Sequence, residues 1–202
     1  MTGPAAATGG LAPGAELLAV ERAAFGDPVA QALIAALMAD LDVRYAADGP
    51  AAGDSPEVAG LHAVRAEQVT PPRGVFLVAR VGGEPAGCGA LRPLHGGPPG
   101  VAEIKRMYTV PAARRRGVSR AILVRLEREA LVLGYRRVQL ETGLRQPEAM
   151  ALYESAGYRR IASFGQYAGD ELSVCYAKDL AARRDARPAP PSDVEGHGTA
   201  QR

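Results

Sequence analysis

The run VAEIKRMYTV, residues 101 to 110, stops at Pro111, and there the apolar spacing changes from two residues to three or four. Proline has no N–H to give a central ladder, so the strand ends at that point. Beyond it Val118, Ile122, Leu126, Ala130 and Leu133 recur at helical intervals, and Gly134 is placed to terminate the helix. YRRVQLET (135–142) then alternates as a strand. PEAMALYESAG (147–157) opens on a first-turn proline and closes on Gly157, and LSVCYAKDL (172–180) reads as a further strand. A strand, helix, strand, helix, strand succession restricts the chain to an α/β or α+β architecture.

Upstream, AELLAVERA (15–23) opens with a short strand. Asp27 and Pro28 form an N-cap and first-turn pair before a helical stripe of Val29, Leu33, Ala36, Leu37 and Leu41. SPEVAGLHAVRAEQV (55–69) predicts a second, shorter helix ended by Pro71 and Pro72. GVFLVARV and EPAGCGALRPL, separated by Gly82-Gly83, predict a β-hairpin, and HGGPPG is a loop. The Ala/Gly/Pro-rich residues 1–14 and the polar, proline-rich residues 182–202 are expected to be disordered, which leaves one domain over 15–181.

A chain of 202 residues suffices for one well-buried domain. With 47% hydrophobic and 23% charged residues it has the composition of a soluble globule, and a net charge of +2 gives no general reason for polyanion binding. Cys88 and Cys175 lie in apolar strand-like runs; they could pair, but read rather as buried free thiols, consistent with a reducing cytoplasm. His62, His95 and His197 show no metal-ligand spacing, so no metal is expected. The start MTGPAAATGGLAPG lacks the charged and apolar regions of a secretory leader, and no run reaches membrane-spanning length, so no membrane association is expected.

The remaining question is the basic turn RRRGVS, residues 114–119. Charge runs are usually solvated faces, and a nucleic-acid contact lacks both a recognition-helix pattern and aromatic interleaving. The third alternative follows from position. A helix N-terminus carries unpaired N–H groups and partial positive charge, which suit a phosphate, and Gly117 lets the backbone approach closely.

RRRGVS fits Arg/Gln-x-x-Gly-x-Gly/Ala between a strand and a helix, and in that setting resembles the acyl-CoA pyrophosphate loop of the GNAT superfamily of N-acyltransferases. AEIKRMYTVPAARRRGVSRAIL is similar to that family's fourth strand and following helix, QLETGLRQPEAMALYESAGYRR to its fifth strand and following helix, and FGQYAGDELSVCYAKDL to the ending of a bacterial subgroup. The resemblance implies an α/β (α+β) fold with a mixed central sheet splayed between its fourth and fifth strands and flanked by helices. It also implies acetyl transfer from acetyl-CoA to a primary amine, most naturally of a small molecule, by direct attack in a ternary complex. Two positions depart from the pattern: Ser119 stands where Gly or Ala is usual, and Arg115 where Gly is frequent. The arginine is tolerable provided its φ stays negative.

By the same resemblance, backbone groups of Met107, Tyr108, Thr109 and Val110 would hold the pantetheine arm. Arg114, Arg115, Arg116, Gly117, Val118, Ser119 and Arg120 would hold the pyrophosphate, and Tyr153 would give its proton to the departing thiolate. Glu103 and Glu141 are the candidate bases, each equally readable as half of an ion pair. Alternation puts Glu103, Lys105 and Met107 on one face of the strand and Ile104 and Arg106 on the other, unless a bulge changes the parity. Arg73, Arg92, Lys105, Arg106 and Arg145 lie near strand ends and would dock a carboxylate or other anion of the acceptor. A catalytically silent acyl-CoA-binding regulator of the same fold and a nucleic-acid-binding module are the competing classes. The sequence is compatible with a monomer or a homodimer.

Overall fold

The computed structural model describes residues 17–46 and 64–180. The expected disordered tails, His62, His197 and most of the expected second helix lie outside these residues. Of that helix, Ala66–Gln68 is described, as one short 3-10 turn. No helix among the described residues is long and apolar enough to cross a membrane.

Seven strands form one mixed sheet: β1 (Leu18–Arg22), β2 (Val75–Val81), β3 (Glu84–Pro93), β4 (Val101–Thr109), β5 (Arg137–Gly143), β6 (Arg159–Ile161) and β7 (Ser173–Asp179), in the order β1-β2-β3-β4-β5-β7-β6. The single parallel contact is β4 with β5, joined by α2 (Val118–Val132), as a strand–helix–strand crossover requires. The other α-helices among the described residues are α1 (Pro28–Tyr45) and α3 (Pro147–Ser155). Asp27 caps α1, its carboxylate accepting from Val29 N at 2.8 Å. β6 carries no sequence signal of its own; three residues long, it exists because β7 offers it an edge.

The sheet buries a different cluster on each face. On one face α2 packs Val118, Ile122, Leu123, Leu126 and Ala130 against Leu77, Leu91, Ile104, Val138 and Leu140, with Tyr153 of α3 alongside. On the other, α1 packs Ala30, Leu33 and Leu37 against Phe76, Val78, Cys88, Ala90 and Tyr108. Each fully buried Leu, Ile or Phe contributes about 1.5–3 kcal/mol by burial, so these two layers hold the sheet between its helices. Gly89 lets α2 pack closely on β3: a Cβ there would lie 2.6 Å from Ile122 Cγ2 and 2.9 Å from Met107 Sδ. Both thiols are buried and unpaired, and burial pushes that of Cys88 up to about 12.

Two features of β4 set the site. Its pairing with β5 stops at Ile104↔Leu140, so from Lys105 onward the two strands part. Opposite β3, Lys105 pairs with Ala90 but Tyr108 with Cys88, so β4 carries one extra residue, with Arg106 at φ 58. The bulge reverses the alternation expected from the sequence. Met107 joins Ile104 on the α2 face, while Arg106 reaches Met38 on the α1 face, its Nη1 3.5 Å from the sulfur.

Candidate active site

The parting of β4 from β5 opens a groove of about 520 Å³, lined by Leu37, Asp40 and Arg44 of α1, by Met107, Tyr108 and Thr109, by the 114–120 turn, and by α3 up to Tyr153. One end is the helix entry. Arg115 (φ 64) and Gly117 (φ 80) are both left-handed, and Gly117 caps α2 without a side-chain hydrogen bond. The first-turn N–H groups of Val118, Ser119 and Arg120 have no acceptor within the helix, and all three residues line the groove. The condition for Arg115 to be cost-free, a negative φ, is therefore not met: the turn places it where glycine is the natural occupant, at a cost of about 1–2 kcal/mol.

The basic side chains divide. Arg114 does not project freely into the groove: its Nη2 donates to Asp40 Oδ1 at 2.8 Å and its Nε to Thr109 O at 3.3 Å. Arg120 donates to Ser155 Oγ at 2.6 Å, joining α2 to α3 while still lining the groove. The Ser119 hydroxyl bonds Thr109 Oγ1 at 2.9 Å and so pins the end of β4 to the first turn of α2. Two residues named from the sequence lie off the groove wall. Arg116 is not among the lining residues, and Val110 is not either, its N–H bonding Ala86 O at 3.0 Å.

A smaller cavity of about 230 Å³ adjoins the other end and shares Leu37, Met107, Gln146 and Tyr153 with the groove. Lys105, Arg106, Glu141 and Thr142 complete its polar wall. Tyr153 comes from the α2 face, buried to 4% exposure and tilted against Tyr158 and Tyr176 at 5.8 and 6.0 Å between centroids. Burial, and then the charge of Glu141, push its phenol well above the usual tyrosine range, so it stays protonated. Glu141 comes from the α1 face. Burial raises its carboxyl, while Lys105 and a 2.9 Å hydrogen bond from Ser173 Oγ pull the other way.

Glu103, the second carboxylate expected here, is engaged on both oxygens. Oε2 accepts from Arg92 Nε and Nη2, each at 2.8 Å, Oε1 accepts from Tyr167 at 2.8 Å, and Lys105 Nζ stands 3.7 Å away. Arg92 is 2% exposed and does not line the smaller cavity. Arg73 is at the wrong end of the sheet: its carbonyl accepts from Tyr135 beside the start of β5. Arg145 presents its carbonyl to Arg44 and is not a lining residue. Of the five basic residues, Lys105 and Arg106 alone line this cavity. Sequence reasoning missed Tyr167, which a short 3-10 turn in the β6–β7 loop carries in to β4.

Residues 42–158 match the family model described as Acetyltransferase (GNAT) family, which spans the bulged strand, the basic turn and Tyr153. The chain belongs to this GNAT acetyltransferase family. It is similar to the IAA acetyltransferase of Azospirillum brasilense, 41% identical over 52% of this chain and 67% of the relative. It is 38% identical to the uncharacterized N-acetyltransferase YsnE of Bacillus subtilis, over 59% of this chain and 79% of the relative. Among solved structures, a provisionally assigned acyl-CoA N-acyltransferase of Klebsiella pneumoniae superposes with a TM-score of 0.64 at 30% identity, covering 82% of this chain and 99% of that one. The PaiA N-acetyltransferase of Thermoplasma acidophilum, in complex with coenzyme A, gives a TM-score of 0.57 at 16% identity over 81% of this chain and 99% of that one, a likeness of fold. This GNAT chain is thus an acetyltransferase of the N-acetyltransferase type. A third cavity, about 600 Å³ and larger than either, lies between the 94–98 loop and residues 164–167. It contains neither the basic turn nor Tyr153.

Proposed function

We propose that the protein transfers an acetyl group from acetyl-CoA to the primary amine of a small molecule, in a ternary complex. The observation that carries this reading is the junction of the two cavities at Tyr153, with an anion-accepting helix entry at the far end of the larger one. The coenzyme A complex of the Thermoplasma neighbour supports the cofactor by likeness of fold.

The residues present fit acetyl-CoA. The amides of the 115–120 turn and the Arg115 and Arg120 side chains take the pyrophosphate, and the backbone of Met107 and Tyr108, unpaired on the β5 side, borders the pantetheine arm. Bound there, acetyl-CoA supplies the thioester. A backbone N–H of the bulged strand polarises its carbonyl, and Tyr153, held protonated, donates to the thiolate that leaves. Glu141 draws the acceptor ammonium into the smaller cavity from the opposite face. Arg106 on the same wall suits an acceptor that carries an anion beside its amine. A cavity of about 230 Å³ suits an acceptor of amino-acid size rather than a folded polypeptide.

Thiol release from acetyl-CoA across an amine panel tests this, with coenzyme A affinity measured in parallel. Turnover is expected with small amines bearing a carboxylate. Preference for esterified or polycationic acceptors contradicts the acceptor class. Binding of coenzyme A with no turnover of any amine contradicts the catalytic reading in favour of a silent binding protein.

A further inference from the structure

Of the chain's 24 basic side chains, 22 are arginine and two are lysine, Lys105 and Lys178. Lys178 holds both carboxylate oxygens of Glu127, at 2.8 and 2.9 Å, a task any cation performs. Lys105 stands at the acceptor cavity. There the difference between the two residue types is chemical: lysine releases its proton when its surroundings favour the neutral amine, and arginine does not.

Lys105 heads a chain of hydrogen bonds that run in one direction. Its Nζ donates to the Tyr167 oxygen, the Tyr167 hydroxyl donates to Glu103 Oε1 at 2.8 Å, and Glu103 Oε2 is held by Arg92. Lys105 lines the 230 Å³ acceptor cavity, whereas Tyr167, Glu103 and Arg92 line the 600 Å³ cavity. The relay therefore leads out of one cavity and into the other.

We propose that Lys105 is the base that deprotonates the acceptor ammonium, and that Tyr167 and Glu103 pass the proton into the larger cavity. This deepens the acceptor reading above and rests on it. The ammonium gives one proton to the neutral Lys105 amine and becomes the nucleophile. Lys105 then gives a proton to the Tyr167 oxygen as the Tyr167 hydroxyl proton moves to Glu103. Glu103 releases it to solvent and returns to the carboxylate held by Arg92. The new C–N bond replaces the C–S bond, Tyr153 protonates the thiolate, and Tyr153 recovers its proton from the attacking nitrogen. One proton is released per turnover, and no oxidation occurs.

The groups facing Lys105 are Glu103 and Arg106 on β4, Arg92 on β3, Glu141 on β5 and Tyr167 on the β6–β7 loop. Burial dominates and lowers its pKa; Glu103 and Glu141 act upward, Arg92 and Arg106 downward, and the net direction is down. Tyr167 is pushed upward by burial and then by Glu103 and Glu141, so it transfers protons in concert and does not rest as phenolate.

Two variants of the full chain separate a relay from a structural tie. Lys105→Arg keeps N–H donors for Tyr167 but stays charged and so removes the base; Tyr167→Phe keeps the ring and removes the hydroxyl. With an amine that the wild type turns over, Lys105→Arg is expected to lose about 100-fold in kcat/KM near neutrality. It is expected to regain roughly tenfold per pH unit as the acceptor itself loses its proton, whereas the wild type levels off earlier. Tyr167→Phe is expected to slow turnover and to lose much of the solvent deuterium effect. Independently of activity, 13C-lysine NMR gives one Cε signal per lysine, assigned by Lys178→Arg, and Lys105 is expected to titrate below the ordinary lysine value of about 10.4. Wild-type pH profiles in both variants, or Lys105 titrating in the ordinary lysine range, overturn the relay. A wild type that acetylates no amine overturns the acceptor reading, and the relay with it.

Discussion

Arg114 Nη2 donates to Asp40 Oδ1 at 2.8 Å across 74 positions of sequence, so the first arginine of the basic run is bound to α1. Arg44 Nε donates to the other oxygen of Asp40 at 2.7 Å. Burial pushes the Asp40 carboxyl up, but the two guanidiniums outweigh it and hold it below the usual carboxylate range. An aspartate thus stands in the wall of a groove suited to a polyanion, neutralised by two arginines.

Asp40→Asn is therefore expected to tighten coenzyme A binding several-fold, by removing a negative charge and releasing Arg114. The two lost ion pairs, to the partly exposed Arg114 and Arg44, cost at most about 1 kcal/mol each, or together roughly 4–8 °C in Tm. Calorimetric titration with coenzyme A at low and high salt measures the first effect and thermal unfolding the second. Weaker binding in the variant counts against Arg114 as a latent phosphate ligand.

The two left-handed residues of the turn give opposite expectations. Arg115→Gly relieves an arginine at φ 64 and is expected to raise Tm by about 2–4 °C, with a modest loss of coenzyme A affinity from the missing charge. Gly117→Ala forces a Cβ onto φ 80 and is expected to cost about 1 kcal/mol. By displacing the first-turn amides, it is also expected to weaken coenzyme A binding about tenfold. Equal binding by Gly117→Ala and wild type speaks against those amides as the phosphate site.

Glu141→Gln separates function from stability. Burial raises the Glu141 carboxyl in the folded state, so holding it ionised costs stability above its folded pKa, and this cost vanishes below the unfolded value of about 4.3. The amide retains an oxygen to accept from Ser173. The variant is expected to melt higher than wild type at about pH 8, to lose that advantage as pH falls towards about 4, and to raise KM for the amine acceptor. A lower melting temperature across the whole range contradicts a desolvated, ionised Glu141.

Much of this site was legible in local signals, and the rest depends on distant contacts. The β2–β3 hairpin at Gly82-Gly83, the end of β4 before Pro111 and the helix entry at Gly117 each follow from residues within a few positions. The bulge at Arg106 does not, because nothing in an arginine announces φ 58, yet it decides that Met107 faces α2 and Arg106 faces α1. Arg73 and Lys105 both lie near strand ends in the sequence, which does not say which end of the sheet each occupies. Tyr167 lies 64 positions from Glu103, on a loop without periodicity, and Arg114 meets an aspartate that precedes it by 74. Ion pairs closed over such separations are set by topology.

On the proposed function, acetyl transfer takes place where the groove and the acceptor cavity meet at Tyr153. Single-turnover thiol release by Tyr153→Phe, with acetyl-CoA and an accepted amine, tests it most directly. A fall of about 100-fold or more in the rate of chemistry, with coenzyme A affinity unchanged, is the predicted result. A wild-type rate in the variant contradicts the claim.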